Sequence, residues 1–388
     1  MFRKMPFILL AMTIIAVIAN SWLPIEYKSA LYAASLSLKE VIIFMLPLLI
    51  FSLLFKTSLQ LARTASKMIL TIFAAVCVSN CLSTLISYSA GLVAYGLDLS
   101  MNSPLESNAL KPTWHFSLPK LIGNDIAMFS GLALGILVGR FRPNLSTTIL
   151  PFLDKLIAIL LKTFLCLIPL FIAGFVVKMA HDQVMTLILE NYSVVFLLVA
   201  CAVFSYIALI YLIANQFQGA AFIRSVKNMI PAAIAGFGSM SSAAAMPLTI
   251  YGTEKNSKNP DLAGSLIPAT VNIHLIGDCF AIPIFAFAVL KNFGVAEPSF
   301  FAYLIFVGHF VLAKFSVAAV PGGGILVMLP ILESVLGFNV EMLSLITALY
   351  ILFDPIITCA NVLGNGGFAM IMSRWLPEKE SVKPKNGN

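Results

Sequence analysis

This sequence is short of charge. Only 11% of its 388 residues are Asp, Glu, Lys or Arg, against about a quarter in an ordinary soluble domain. That shortage excludes a water-soluble globule and points to an integral membrane protein. Strict apolar–polar alternation is also missing, so the apolar stretches read as helices rather than the strands of a barrel. The six cysteines, Cys77, Cys81, Cys166, Cys201, Cys279 and Cys359, all fall in apolar segments. They form no metal-ligand cluster and read as small core residues. A net charge of +7 would suggest a nucleic-acid surface in a soluble chain, but here the basic residues follow membrane topology. With the N-terminus inside, the cytoplasmic segments hold Arg3, Lys4, Arg63, Lys67, Arg140, Arg142, Arg224, Lys227, Lys255, Lys258 and Arg374. The outer loops keep mainly Lys28, Lys111, Lys120 and Lys291. This asymmetry orients the chain with both termini cytoplasmic and leaves no role for nucleic acid.

What is present is a series of apolar runs of about 20 residues. Arg3 and Lys4 followed by an apolar run to Leu23 resemble a signal peptide, but the run is too long and reads as a first membrane helix. Further spans are expected at 41–54, 68–97, 126–138, 153–179 and 194–214, with 98–120 as a polar external loop. From Met229 the pattern changes. Two short apolar arms flank Ser239-Met240-Ser241-Ser242, which suggests a re-entrant hairpin. A span over 262–290 is interrupted at Asn272-Ile273-His274 and again at Gly277-Asp278. A second pair of arms flanks Pro321-Gly322-Gly323-Gly324, where proline cannot donate and glycine will not sustain a helix. The last segment, 341–372, carries Asp354, Thr358, Asn361 and Asn365, and is expected to be broken as well. Hairpin, broken helix, hairpin, broken helix is a two-unit repeat, and such discontinuities mark midplane binding sites in transporters.

Blander readings exist for each feature. Pro321–Gly324 can be a plain turn between helices. Asp354-Pro355 can be an N-cap with proline at the first helical position. His274 and Asp278, four residues apart, can satisfy one another if the segment is helical. An intramembrane serine hydrolase using Ser241 or Ser242 with His274 is a remote alternative, since no G-x-S-x-G elbow is present. A passive channel is another.

The serine tip from Ser239 to Pro247, the Ala319–Gly324 tip and the Asp354–Asn365 spacing resemble the dicarboxylate/amino acid:cation symporters, the glutamate-transporter-like family. The similarity is good over 121–372 and weak before it. The resemblance implies an all-α membrane protein with about eight transmembrane helices and two re-entrant hairpins, assembled as a homotrimer in the inner (plasma) membrane and working as an elevator. It divides the chain into scaffold helices 1–2 (1–67), helix 3 of the transport domain (68–97), an external loop with scaffold helices 4–5 (98–192), the transport domain proper (193–372) and a basic cytoplasmic tail (373–388). It implies that Ser241, Ser242 and the Val320 and Gly322 backbone hold a substrate carboxylate, that Asp354 takes an amino group, and that Thr358 and Asn361 add hydrogen bonds. The partners implied are a small amino acid or carboxylate and the lipid bilayer. No cofactor is implied, only bound Na⁺ or coupled H⁺ as cargo.

This sequence departs from that pattern. Ile357 stands where acidic-substrate members carry an arginine, and isoleucine cannot pair with a second carboxylate. His274 and Asn365 stand where sodium-binding carboxylates are expected, and Lys314 lies near a backbone position that binds sodium. Backbone groups at Asn272, Asn361 and Ala318 could still ligate one cation. The expectation is therefore a small neutral amino acid substrate with weakened or absent sodium dependence. Lys314 would act as a built-in cation near Asp354 or the second hairpin, and His274, of a residue type whose ordinary pKa is about 6.5, would be open to protonation. The alternative is an acidic amino acid or C4-dicarboxylate symporter driven by sodium or protons.

Overall fold

The computed structural model describes residues 15, 16, 18–63, 67–97, 110–119, 122–182, 192–317 and 322–376. Among the described residues there is no strand. An all-helical chain is what lipid demands, because a helix satisfies its backbone polar groups within one segment. Among the described residues, three stretches are long and apolar enough to cross a membrane: Leu70–Gly96, Ser193–Ala214 and Glu341–Trp375.

Three helices pack mainly with one another: α1 (Ile25–Arg63), α3 (Asn124–Phe141) and α4 (Pro143–His181). α1 and α4 have 39 residues each, so each is roughly 58 Å long, well beyond the ~30 Å hydrocarbon core. The apolar stretch at 41–54 marks only the middle of α1, and that at 153–179 leaves out the first ten residues of α4. Lys39, Lys56 and Lys162 interrupt the apolar run without interrupting the helix. Close crossing explains the small residues here, since a Cβ on Gly174 of α4 would lie 2.2 Å from the Leu31 carbonyl oxygen. Phe55, Leu59, Leu153 and Ile157 form a local apolar cluster between α1 and α4.

The remaining helices gather around α9 (Ile276–Asn292), whose residues from Ile276 to Leu290 are all buried. A helix apolar on every side belongs in an interior. Against it lies α2 (Lys67–Gly96). Asn80, Thr84 and Ser87 are spaced to share one face of α2, and all are buried. The Tyr303 hydroxyl donates to the Thr84 carbonyl at 2.6 Å, so this polar face is satisfied by its neighbours rather than by water. α5 (Ser193–Ala214) packs on α9 and on the last helix.

The first hairpin is α6 (Gly219–Ser239) and α7 (Ser242–Asn256), turning through Met240 in a left-handed conformation. α8 (Pro260–Thr270) and α9 are the two halves of the interrupted span. The second hairpin is α10 (Phe300–Lys314) and α11 (Gly323–Leu336), with Gly322 at φ 70° opening the second arm. A β-carbon is disfavoured at that angle, which accounts for glycine there. The arms α7, α10 and α11 have 15, 15 and 14 residues, about 21–23 Å each and short of a bilayer crossing.

The last segment differs from expectation. α12 runs unbroken from Val340 to Trp375 over 36 residues. Pro355 removes one N–H from the ladder, but the packing of α12 against α5, α6, α7 and α9 holds the helix through that gap. Asp354 therefore lies mid-helix and is no N-cap; Asn339 caps α12 instead.

Candidate functional site

α12 presents Tyr350, Asp354, Thr358 and Asn361 at intervals of four, four and three residues, which places them on one helical face. That face lines a cavity shared with Asp278 of α9, Gly324 of α11, and Met240 and Ser242 of the first hairpin's tip. The cavity measures ≈ 20 Å³, about what a water or two requires, at ~10–15 Å³ each. An organic solute does not fit in that space.

Asp354 is 4% exposed. The Thr358 hydroxyl donates to its Oδ1 at 3.0 Å, and the Gly322 N–H donates to its Oδ2 at 3.0 Å. The second hairpin's tip is thus bonded directly to the carboxylate in the middle of α12. Both of these donors are neutral.

Asp278 sits in the first turn of α9, 1% exposed. Lys314, 0% exposed at the end of α10, donates from Nζ to Asp278 Oδ2 at 2.8 Å. The Tyr350 hydroxyl donates to Oδ1 at 2.9 Å, with the Asn361 amide more distant at 3.4 Å. The ammonium also lies 4.4 Å from the centre of the Phe310 ring, a favourable cation–π distance. Asn361 Oδ1 accepts the Gly277 N–H at 2.7 Å, satisfying an otherwise orphan donor at the start of α9.

A third polar group lies at the break between α8 and α9. Thr270 Oγ1 and Asn365 Oδ1 are 2.7 Å apart. His274 Nε2 meets the Ser79 hydroxyl at 2.9 Å, and its ring stacks on Phe368 with centroids 4.3 Å apart. Asn80 Nδ2 donates to the Ile273 carbonyl at 2.7 Å, satisfying backbone that the break exposes. Among the described residues no group of three His, Cys, Asp or Glu side chains is placed to hold a metal ion.

An acidic helix face beneath two hairpin tips, beside a helix broken at its polar residues, is the build of a solute carrier's site. The sequence pattern of the Sodium:dicarboxylate symporter family matches residues 5–375. The chain belongs to that family. Comparison with curated proteins gives no match. Symporters of this family are membrane transporters, not enzymes, and they use no cofactor; the cation is a coupled ion. The serine hydrolase alternative also fails on geometry, because His274 meets Ser79 and not a hairpin serine.

Only some of the residues named from sequence lie in the symporter's cavity. Ser242, Asp354, Thr358 and Asn361 share the cavity. Ser241 caps α7, accepting the Ala244 N–H, and Gly322 reaches Asp354 through its backbone. Ile357 is buried at 1% and its carbonyl abuts Gly277. His274 and Asn365 lie at the α8–α9 break, and Asn272 in the same break is exposed. Val320 and Ala318 lie outside the described residues. Lys314 meets Asp278 rather than Asp354, and the reading that His274 and Asp278 satisfy each other does not hold. The five residues Val271–Leu275 between α8 and α9 are non-helical or turn, which removes the i,i+4 relation. Sequence reasoning missed Asp278 and Tyr350 as cavity residues. The available signal was that Asp278 is a carboxylate inside an otherwise apolar run, with Lys314 the cation in the neighbouring hairpin arm.

Proposed function

We propose that this symporter-family chain carries a small neutral amino acid across the inner (plasma) membrane with weakened sodium coupling. The observation that carries the reading is the charge balance of the cavity. Its two carboxylates are Asp278 and Asp354; Lys314 neutralises the first, while the described partners of the second are neutral donors. A substrate ammonium is the natural partner for Asp354. A second substrate carboxylate would meet isoleucine at 357 and a lysine already paired, leaving like charges close together in a dry site.

The packing supports an elevator. α1, α3 and α4 form one group, and they meet the helices around α9 mainly where α10 reaches α3 and α11 reaches α1. The first group would be the scaffold of a homotrimer with both termini cytoplasmic, and the second, with its two re-entrant hairpins, would be the moving part. Weakened sodium coupling is supported by Asn365 and His274, neutral side chains where the family resemblance places carboxylates. The described contacts of His274 are Ser79 and Phe368, both neutral, which favours facilitated exchange over proton coupling through this residue.

The family description names dicarboxylates, so a second reading has Lys314 leave Asp278 to meet an acidic substrate. Titration of the purified protein with alanine, serine, threonine, aspartate and succinate, followed by calorimetry, separates the two. Binding of the neutral amino acids supports the first. Binding of aspartate or succinate alone, lost in Lys314→Met, would establish the second.

A further inference from the structure

We propose that Asp278 is a monovalent-cation site filled permanently by the Lys314 ammonium, so that at this position the protein carries its cation as a side chain. The proposal rests on the transporter reading and deepens it: the built-in cation expected near Asp354 or the second hairpin is assigned instead to Asp278, where the lysine is found.

The argument begins with where the carboxylate sits. Asp278 touches four elements at once. Lys314 reaches it from the first arm of the second hairpin at 2.8 Å, Tyr350 from α12 at 2.9 Å, and its own backbone belongs to α9. From the second arm, Gly324 approaches so closely that a Cβ there would lie 2.4 Å from Asp278 Oδ2 and 2.4 Å from the Tyr350 hydroxyl. The Lys314 ammonium therefore ties the hairpin to α9, and Tyr350, bonded to the same carboxylate, brings in α12.

Chemistry supplies the second step. A carboxylate beside a phenol oxygen is a singly negative site of the kind a hard cation can take; the Asn361 amide turns its nitrogen towards it and keeps its oxygen on the Gly277 N–H. Buried at 1%, it must be neutralised by something. A dissolved ion would do so reversibly and make hairpin closure depend on its concentration. The tethered ammonium does so at all times. A purely mechanical strut would not need charge, because apolar replacements of buried ion pairs are often as stable.

The test uses the full chain, purified, melted in choline, potassium, lithium or sodium chloride at constant ionic strength. Melting needs no knowledge of the substrate, so its outcome is independent of the proposed amino acid specificity. Lys314→Ala should acquire a saturable sodium- or lithium-dependent rise in melting midpoint of about 3–6 °C beyond that of the unaltered protein. Asp278→Asn/Lys314→Ala should lose that rise. Asp278→Asn/Lys314→Met, which removes both charges, should fold and respond to salt as the unaltered protein does. The proposal is overturned if Lys314→Ala gains no response, if the gain survives Asp278→Asn, or if Lys314→Ala fails to fold in every salt while the double methionine variant folds. It is equally overturned if the double methionine variant acquires the sodium response or fails to fold.

Discussion

Asp354 is held by two neutral donors, which makes its replacement the most informative single change. Asp354→Asn keeps the shape and removes the charge, and should weaken substrate binding by about 100-fold, the ~3 kcal/mol scale of a broken buried charge pair. Thr358→Val should cost about 1 kcal/mol, roughly five-fold, because it deletes one hydrogen bond to that carboxylate. Calorimetric titration checks both, and equal affinities across the set would remove Asp354 from the site. Lys314 and Asp278 form the second residue-scale test. Each single neutralisation should destabilise the fold by about 3–5 kcal/mol by stranding the other charge, while Asp278→Asn/Lys314→Met should recover most of it. Polar residues in an apolar run, such as Asp354, Thr358 and Asn361, can be read from sequence because lipid has no other use for them. Which charge meets which cannot be read that way. Lys314 and Asp278 are 36 residues apart, and only the fold of the hairpin brings them together. Tyr350 was invisible for a different reason: a tyrosine in an apolar segment looks the same whether or not its hydroxyl serves a site.

At the level of elements, punctuation was legible and length was not. Ser239–Ser242 and Asn272–His274 each mark a place where the described helices stop, and Gly322, beside the undescribed Pro321, is where the second arm opens. Prolines and left-handed turn positions act locally, so sequence suffices to find them. The extents of α1 and α4 were underestimated because hydropathy reports the lipid-facing middle, not where the helical hydrogen bonds end. α12 was expected to break at Asp354-Pro355 and does not, since tertiary packing outweighs one missing donor. The seating of the second hairpin gives the prediction at this scale. Gly324→Val would drive a side chain into Asp278 and Tyr350, so transport should fall at least ten-fold while the protein still assembles in the membrane. Normal transport by that variant would mean that the tip does not close on α9 and α12 in the working cycle. Asn80→Leu should lower stability by about 1–3 kcal/mol, leaving the Ile273 carbonyl unsatisfied at the α8–α9 break, as thermal melting would register.

For the whole molecule, under the proposed elevator, the charges on the part that would move determine what drives it. Asp278, Lys314 and Asp354 would travel together, and a zwitterionic substrate adds no net charge to them. Loaded and empty forms then carry the same charge, so a full exchange cycle moves no net charge, and a potential of about 100 mV, worth ~2.3 kcal/mol per charge moved, should leave the final accumulation of substrate unchanged. Accumulation that follows the imposed potential would require an accompanying ion. The choice of substrate remains the claim on which the rest depends. Its most direct measurement is counterflow into proteoliposomes preloaded with unlabelled alanine, using labelled alanine or serine outside, in choline and in sodium, with aspartate and succinate as competitors. Accumulation of the neutral amino acid in both salts, unaffected by either acid, is the predicted result. Counterflow seen only in sodium, or driven by aspartate or succinate and not by alanine or serine, would contradict it.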